Sequence, residues 1–215
     1  MNVANVPMAK TLKDSFQKLY EVADTQGGYF TAKQATDAGF STRMQAYHAQ
    51  SGDWEREWRG IYRLRFYPNP RPDDLMVWYL WSSDRSGKPE GVYSHDTALE
   101  LYELSTWSGK RLHMTVPKEF KRRSLPEALR LHYTDLRHFE ITKVKQVAVT
   151  TVVRTFLDLL HEEVLQRHHL LEAMQDARKR GLIAPSDLES PWLTKHDRHL
   201  LQRLNSESCS YSTEA

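Results

Sequence analysis

GGYFTAKQATDAGFSTRMQAYHAQSGDWEREWRGIYRLRF, from Gly27 to Phe66, is the stretch on which the fold turns. It reads as two short helices joined by a tight turn, followed at once by a narrow two-stranded ribbon. Thr31 stands where an N-cap is needed for a helix over Ala32 to Ala38, and Gly39 supplies the turn. Ser41 caps the second helix, Thr42 to Ser51, because its hydroxyl accepts a hydrogen bond from an amide of the first turn. Gly52 ends that helix, and Trp54 to Leu64 alternate as a hairpin turning near Arg59-Gly60. This is the pattern of a winged helix-turn-helix, a unit that places its second helix in the major groove of DNA.

Working outward, Lys10 to Asp24 carries Leu12, Phe16, Leu19, Tyr20 and Ala23 at helical spacing, and residues 1–9 read as a disordered leader. Tyr67-Pro-Asn-Pro-Arg-Pro72 has three prolines in six residues and reads as a stiff linker, 67–72. The expected architecture is α+β: a winged helix-turn-helix domain over 10–66, then a mixed α/β domain over 73–205. A polar, disordered tail is expected over 206–215. In the second domain, helices are expected over 73–81, 95–104, 151–163 and 166–180, with a short final helical region from Pro185 to about Leu204. Strands are expected over 111–116, 129–133, 139–142 and 147–150.

Composition narrows the class. The 215 residues carry no apolar run long enough to span a bilayer, and the start lacks the apolar core of a secretory signal. The single cysteine, Cys209, excludes an internal disulfide and cysteine metal clusters, so a cytoplasmic protein is expected. Net charge is only +2, yet between Ser108 and Lys145 ten basic residues face four acidic ones. Lys118, Lys121, Arg122 and Arg123 form the densest part of this region. It reads either as an auxiliary phosphate-binding patch or as a solvated basic loop.

On the second helix of the pair, Met44 falls on the core side. Thr42, Arg43, Gln45, Ala46, Ala49 and Gln50 are expected to face outward, with Tyr47 in reach of a base or a phosphate. Arg donates bidentately to guanine and Gln pairs with adenine, which makes Arg43, Gln45 and Gln50 the expected readers of sequence. Thr31 and Lys33 at the start of the first helix, and Arg59 and Arg63 in the ribbon, are expected on phosphates. The competing reading is a winged domain whose polar helix face docks a protein.

Signatures of catalysis are weak. Ser94-His95-Asp96 names the triad residues, but three consecutive positions cannot form one hydrogen-bonded chain, and the run reads as a helix cap with an acidic first turn. His161, His168 and His169 lack a zinc-protease spacing. Glu140-Ile-Thr-Lys143 is one residue too wide for the acid-x-Lys element of metal-dependent nucleases, which keeps a nuclease relative as a distant alternative. No catalytic residue, cofactor or metal ligand is expected. Arg154 and Asp158, four apart on one helix, are expected to pair as architecture.

The chain resembles the AbiEi family of bacterial regulators, antitoxins of type IV toxin–antitoxin systems. The resemblance rests on GGYFTAKQATDAGFS, AYH and WEREWRGIYRL in the first domain, and on YSHDTALELYEL, LHMTVP and VTTVVRTFLDLL in the second. These span about residues 27–160 in consistent order. It implies a DNA-binding autorepressor that recognises inverted repeats in its own promoter, with a second domain that counteracts a nucleotidyltransferase-like toxin without a stable complex. By position it implies DNA contacts at Thr31, Lys33, Thr42, Arg43, Gln45, Tyr47 and Gln50, with Arg59 in the wing. The sequence departs from the family at Gln50-Ser51, where basic residues are common, and at Glu55 and Glu57 in the ribbon.

Overall fold

The computed structural model describes residues 12–68, 75–105, 109–122, 124–162 and 165–211. Helices and strands are mixed, as expected for an α+β protein, and the chain divides into two compact units, residues 1–90 and 91–215.

The first unit runs α1 (Leu12–Asp24), β1 (Tyr29–Thr31), α2 (Ala32–Ala38), α3 (Thr42–Ser51), β2 (Trp54–Trp58), β3 (Ile61–Leu64) and α4 (Leu75–Trp81). Its strands form an antiparallel sheet of order β1-β3-β2. The local signals operate as anticipated. Thr31 caps α2 in a reciprocal box: its Oγ1 accepts from Gln34 N at 3.1 Å, and Gln34 Oε1 accepts from Thr31 N at 2.8 Å. Ser41 Oγ accepts from Met44 N at the start of α3. Gly39 sits at φ +118°, left-handed, and a Cβ there would stand 2.6 Å from Ser15 Oγ. Conformation and space therefore both demand glycine at the turn.

Aromatic edges fill this core. Trp54 packs edge-on against Phe30 (centroids 4.8 Å apart) and Phe40 (5.1 Å), above Leu19, Ala23, Ala35 and Ala38. Of the stripe expected on α1, only Leu19 and Ala23 are buried, whereas Leu12, Phe16 and Tyr20 stay exposed.

Two boundaries differ from the sequence reading. Helix α4, expected to open the second domain at residue 73, belongs to the first unit: it packs on β1 and β3, with Trp78 edge-on to Trp58 at 4.9 Å. A buried Met76, Val77, Trp78 and Leu80 need a surface to cover, and that sheet supplies it. Most of the expected linker lies outside the described residues. Its first residue, Tyr67, is tied to the first unit by a hydroxyl that donates to Asp24 Oδ1 at 2.8 Å.

The second unit runs β4 (Val92–Tyr93), α5 (His95–Leu101), β5 (Leu112–Val116), β6 (Leu129–Tyr133), β7 (Ile141–Val144), β8 (Val147–Thr150), α6 (Val152–Glu162), α7 (Arg167–Lys179) and α8 (Lys195–Ser210). The sheet order is β6-β5-β4-β8-β7, with β5–β6 and β4–β8 parallel. Residues 139–140, expected extended, belong instead to a 3-10 turn that precedes β7. Leu99, Phe156, Leu159, Met174, Leu201 and Leu204 lie at the centre of the helical core. The tail expected to be disordered from 206 is helical to Ser210. Ser208 is buried and Glu207 pairs with Arg167 at 2.7 Å and Arg203 at 2.8 Å, which extends the helix past its apolar pattern.

The Arg154–Asp158 pair forms at 2.8 Å and acquires a third member, Glu140, whose Oε1 accepts from Arg154 at 2.6 Å. Burial pushes the Asp158 carboxyl up to about 6 against the pull of Arg154. An acid raised in this way destabilises the fold while ionised, a cost that is full above pH 6 and disappears below its ordinary 3.8. Removing the guanidinium would leave two buried carboxylates uncompensated. Arg154→Met is expected to lower unfolding free energy at pH 7 by about 3–5 kcal/mol. The deficit should shrink as pH falls toward 5 and the orphaned Asp158 carboxyl, already raised by burial, protonates. Urea unfolding at both pH values checks this, and an equal deficit at both would assign the loss to packing of the side-chain stem.

Candidate nucleic-acid interface

Helix α3 presents one continuous outward face. Arg43, Ala46, Tyr47 and Gln50 follow each other at spacings of three and four and are all exposed, as is Thr42 beside them. Tyr47 is 64% exposed, a large ring left facing solvent on a helix whose other side is packed. Arg43 and Gln50 make no side-chain hydrogen bond or ion pair among the described residues. Met44 and His48 turn inward: Met44 packs on the core, and His48 lies stacked on Trp54 with its Nδ1 3.0 Å from Asp53 Oδ2.

Gln45 does not join that face. It is buried, and its amide nitrogen lies 3.1 Å from Ala32 O, 2.9 Å from Thr36 Oγ1 and 3.1 Å from Phe40 O. Because Thr36 Oγ1 donates its own proton to Ala32 O, it is the acceptor toward Gln45. The residue expected to read adenine is therefore a latch between α3, α2 and the turn. Spacing misplaced it because polar residues were assumed to face out, and a glutamine fits inside when backbone carbonyls meet its donors. Ala49, also expected outside, is half-buried.

Arg63 is the second correction. Its side chain is nearly buried in the sheet and is held by both Glu55 and Glu57. Glu55 lies directly across the ladder from Arg63, and an irregularity between Arg56 and Trp58 brings Glu57 within 3.1 Å. The two acidic residues thus neutralise one particular arginine. Arg56 and Arg59 remain exposed, with no ion pair among the described residues. The hairpin closes through Arg59-Gly60 alone, and Ala32 N donates to Gly60 O at 2.8 Å, so the tip sits against the start of α2. Arg59 therefore lies beside the turn that carries Thr31 and Lys33. Thr31 Oγ1 is occupied as the cap acceptor, leaving only its proton to donate. Lys33 is exposed and pairs with Asp37 at 3.2 Å, a contact a phosphate displaces at little cost.

In the second unit, Lys118 and Lys121 are exposed, Lys118 lying 4.0 Å from Asp135, while Arg122 stacks on the Phe120 ring at 4.6 Å. Arg123 lies outside the described residues. The reading of Ser94 as a side-chain cap fails, since its hydroxyl makes no cap hydrogen bond and instead meets His95 and Thr115. These contacts belong to a polar cluster of His95, His113 and His132 that the sequence reading missed. The available signal was a single histidine inside each of two otherwise alternating strands, LHMTV and LRLHY.

Residues 17–65 match the family model of a transcriptional regulator, the AbiEi antitoxin. The matched segment runs from within α1 to the end of the hairpin and so contains the whole of α2 and α3. A comparison with curated proteins finds no match.

The latch and the outward face should separate by mutation. Gln45→Ala is expected to cost about 1–3 kcal/mol of stability, because buried acceptors lose their donor. Gln45→Glu should cost more, since it sets a carboxylate against two carbonyl oxygens. Arg43→Ala and Gln50→Ala should leave the melting temperature within about 1–2 °C, as expected for exposed side chains. Thermal unfolding of the four variants tests the assignment, and a Gln45→Ala variant as stable as wild type would remove the latch.

Proposed function

We propose that, with residues 17–65 as an AbiEi-type regulator segment, the first unit is a winged helix-turn-helix that binds double-stranded DNA. The protein would then act as repressor of its own promoter and as antitoxin. The observation that carries the reading is the exposed face of α3. Its Arg43, Tyr47 and Gln50 are polar, mutually aligned and exposed, while the opposite side is fixed by Gln45 and the Trp54 core. In this reading α3 enters the major groove. Arg43 and Gln50 meet base edges, Tyr47 a base or phosphate, and Thr31, Lys33 and Arg59 meet the backbone. The duplex is an inverted repeat in the promoter, occupied by two copies. The second unit opposes a nucleotidyltransferase-like toxin without forming a stable complex with it.

Lys33 lies in the first turn of α2 and Arg59 at the hairpin tip that meets the start of that helix, whereas Arg63 is neutralised and adds no phosphate contact. Salt dependence should report the number of phosphate contacts directly, since each neutralised phosphate contributes about 0.9 to the slope of log affinity against log salt. Arg59→Ala is expected to weaken cognate and scrambled duplexes alike and to reduce the slope by about 0.9. Arg43→Ala should cost about 1–3 kcal/mol on the cognate duplex and much less on the scrambled one. Fluorescence anisotropy with the chain's own upstream duplex, at two salt concentrations, measures both. Binding that ignores salt, or no binding at low salt, would turn the α3 face into a protein-docking surface.

A further inference from the structure

The His95, His113 and His132 side chains come from three elements of the second unit. His113 lies on β5 and His132 on β6, on the same face of a parallel pair in which Thr115 is the register partner of His132. His95 begins α5 with φ +54°, an unusual conformation for a residue with a Cβ, and its ring lies 3.7 Å from that of His132. One ring nitrogen from each histidine lies within 4.8 Å of the other two, and His113 and His95 are almost fully buried. Burial pushes the three imidazoles below the ordinary histidine value, His113 to about 4 and His95 to about 2.

The contacts around the rings orient them. His132 Nδ1 lies 2.7 Å from Glu162 Oε1, and a carboxylate can only accept, so His132 carries a proton on Nδ1. Its Nε2 faces His113 Nδ1 at 3.2 Å. His113 Nε2 lies 3.7 Å from Oδ2 of the buried Asp96, beyond hydrogen-bond reach. Asp96 Oδ1, also buried, has no hydrogen-bond partner among the described residues. His132 Nε2 and His113 Nδ1 thus face each other on the inner side of the cluster, with carboxylates behind their outer nitrogens. The 3.2 Å separation is close to the edge of about 3.3 Å that two nitrogens span around a tetrahedral ion at 2.0–2.1 Å. Carboxylates behind metal-bound imidazoles are the usual means of fixing tautomer and ring orientation. His95 Nδ1 lies 2.9 Å from the Ser94 hydroxyl, and its Nε2 lies 3.4 Å from the same Glu162 Oε1.

We propose that His95, His113 and His132 form a binding site for a divalent transition ion of the zinc class. Three neutral imidazoles and no thiolate select the ions that favour nitrogen, zinc foremost among those available in cells. Glu162 and Ser94 hold Nδ1 of His132 and of His95, and Asp96 stands behind His113 at 3.7 Å. Binding draws the three inner nitrogens together and tilts the His95 and His132 rings, now 17° from parallel, out of their stack. The site is independent of the DNA-binding reading, because it uses no residue of the first unit.

The test is titration of chelator-stripped full-length protein with Co(II), followed by visible absorption, and then displacement by Zn(II). Wild type is expected to bind one equivalent with the d–d bands of a nitrogen-rich four- or five-coordinate site. His113→Ala and His132→Ala should abolish those bands, whereas the surface variant His168→Ala should keep them. Because a ligand variant can lose its fold, Glu162→Gln provides a second route. It leaves every ligand in place and is expected to weaken cobalt binding about 10–100-fold through the outer nitrogen of His132. The proposal fails if wild type shows no stoichiometric cobalt bands, if the bands survive in folded His132→Ala, or if folded Glu162→Gln binds as tightly as wild type.

Discussion

The side-chain amide of Gln45, its nitrogen within 3.1 Å of the carbonyls of Ala32 and Phe40 and the hydroxyl of Thr36, fixes what α3 can present. Buried donors and acceptors must be paired, and here one side chain serves both the end of the turn and the body of α2. With position 45 held inward, the helical period forces Arg43, Tyr47 and Gln50 outward. The turn itself depends on Gly39, whose left-handed backbone and contact with Ser15 leave no room for a side chain. The rotation of α3, and with it the composition of its exposed face, is thus set by one amide and one glycine on a floor of interlocked aromatic rings.

Charge on the hairpin is allocated by geometry more than by composition. Glu55 and Glu57 appear in the sequence as a general dilution of basic character. In the sheet they converge on Arg63, leaving Arg56 and Arg59 with their charge unspent. These bridges decide which cations of the hairpin remain available to a polyanion. The short closure through Arg59-Gly60 adds a second restriction, since only a side chain extends from the tip.

The second unit keeps an unusually polar interior. Arg154 gathers Glu140 and Asp158, with Glu140 arriving from a turn fourteen residues upstream. Around β5 and β6, three histidines and a buried aspartate lie together, and Asp96 Oδ1 has no hydrogen-bond partner among the described residues. Buried polar groups of this sort oppose folding unless they are paired. The first cluster is balanced within the chain. In the second, the three rings are the ligands proposed for a cation.

The local grammar of residues 27–66 was legible from the sequence: the caps at Thr31 and Ser41, the glycine turn at 39, the helix stop at 52 and the hairpin closure at 59–60. Each rests on chemistry between residues a few positions apart, which a linear reading captures, and the pairing of Arg154 with Asp158 is of the same kind. What the tertiary structure decided involves residues far apart in the chain. Gln45 finds acceptors on another helix, Arg63 is claimed across the ladder, and α4 settles on the first sheet because four apolar side chains need cover. His95, His113 and His132, eighteen and nineteen residues apart, meet only once β5 and β6 pair in parallel and α5 packs on β5. Sequence spacing carries the periodicity of a helix or a strand. Which strands become neighbours, and which polar side chains find partners inside, depends on burial and register that exist only in the folded chain.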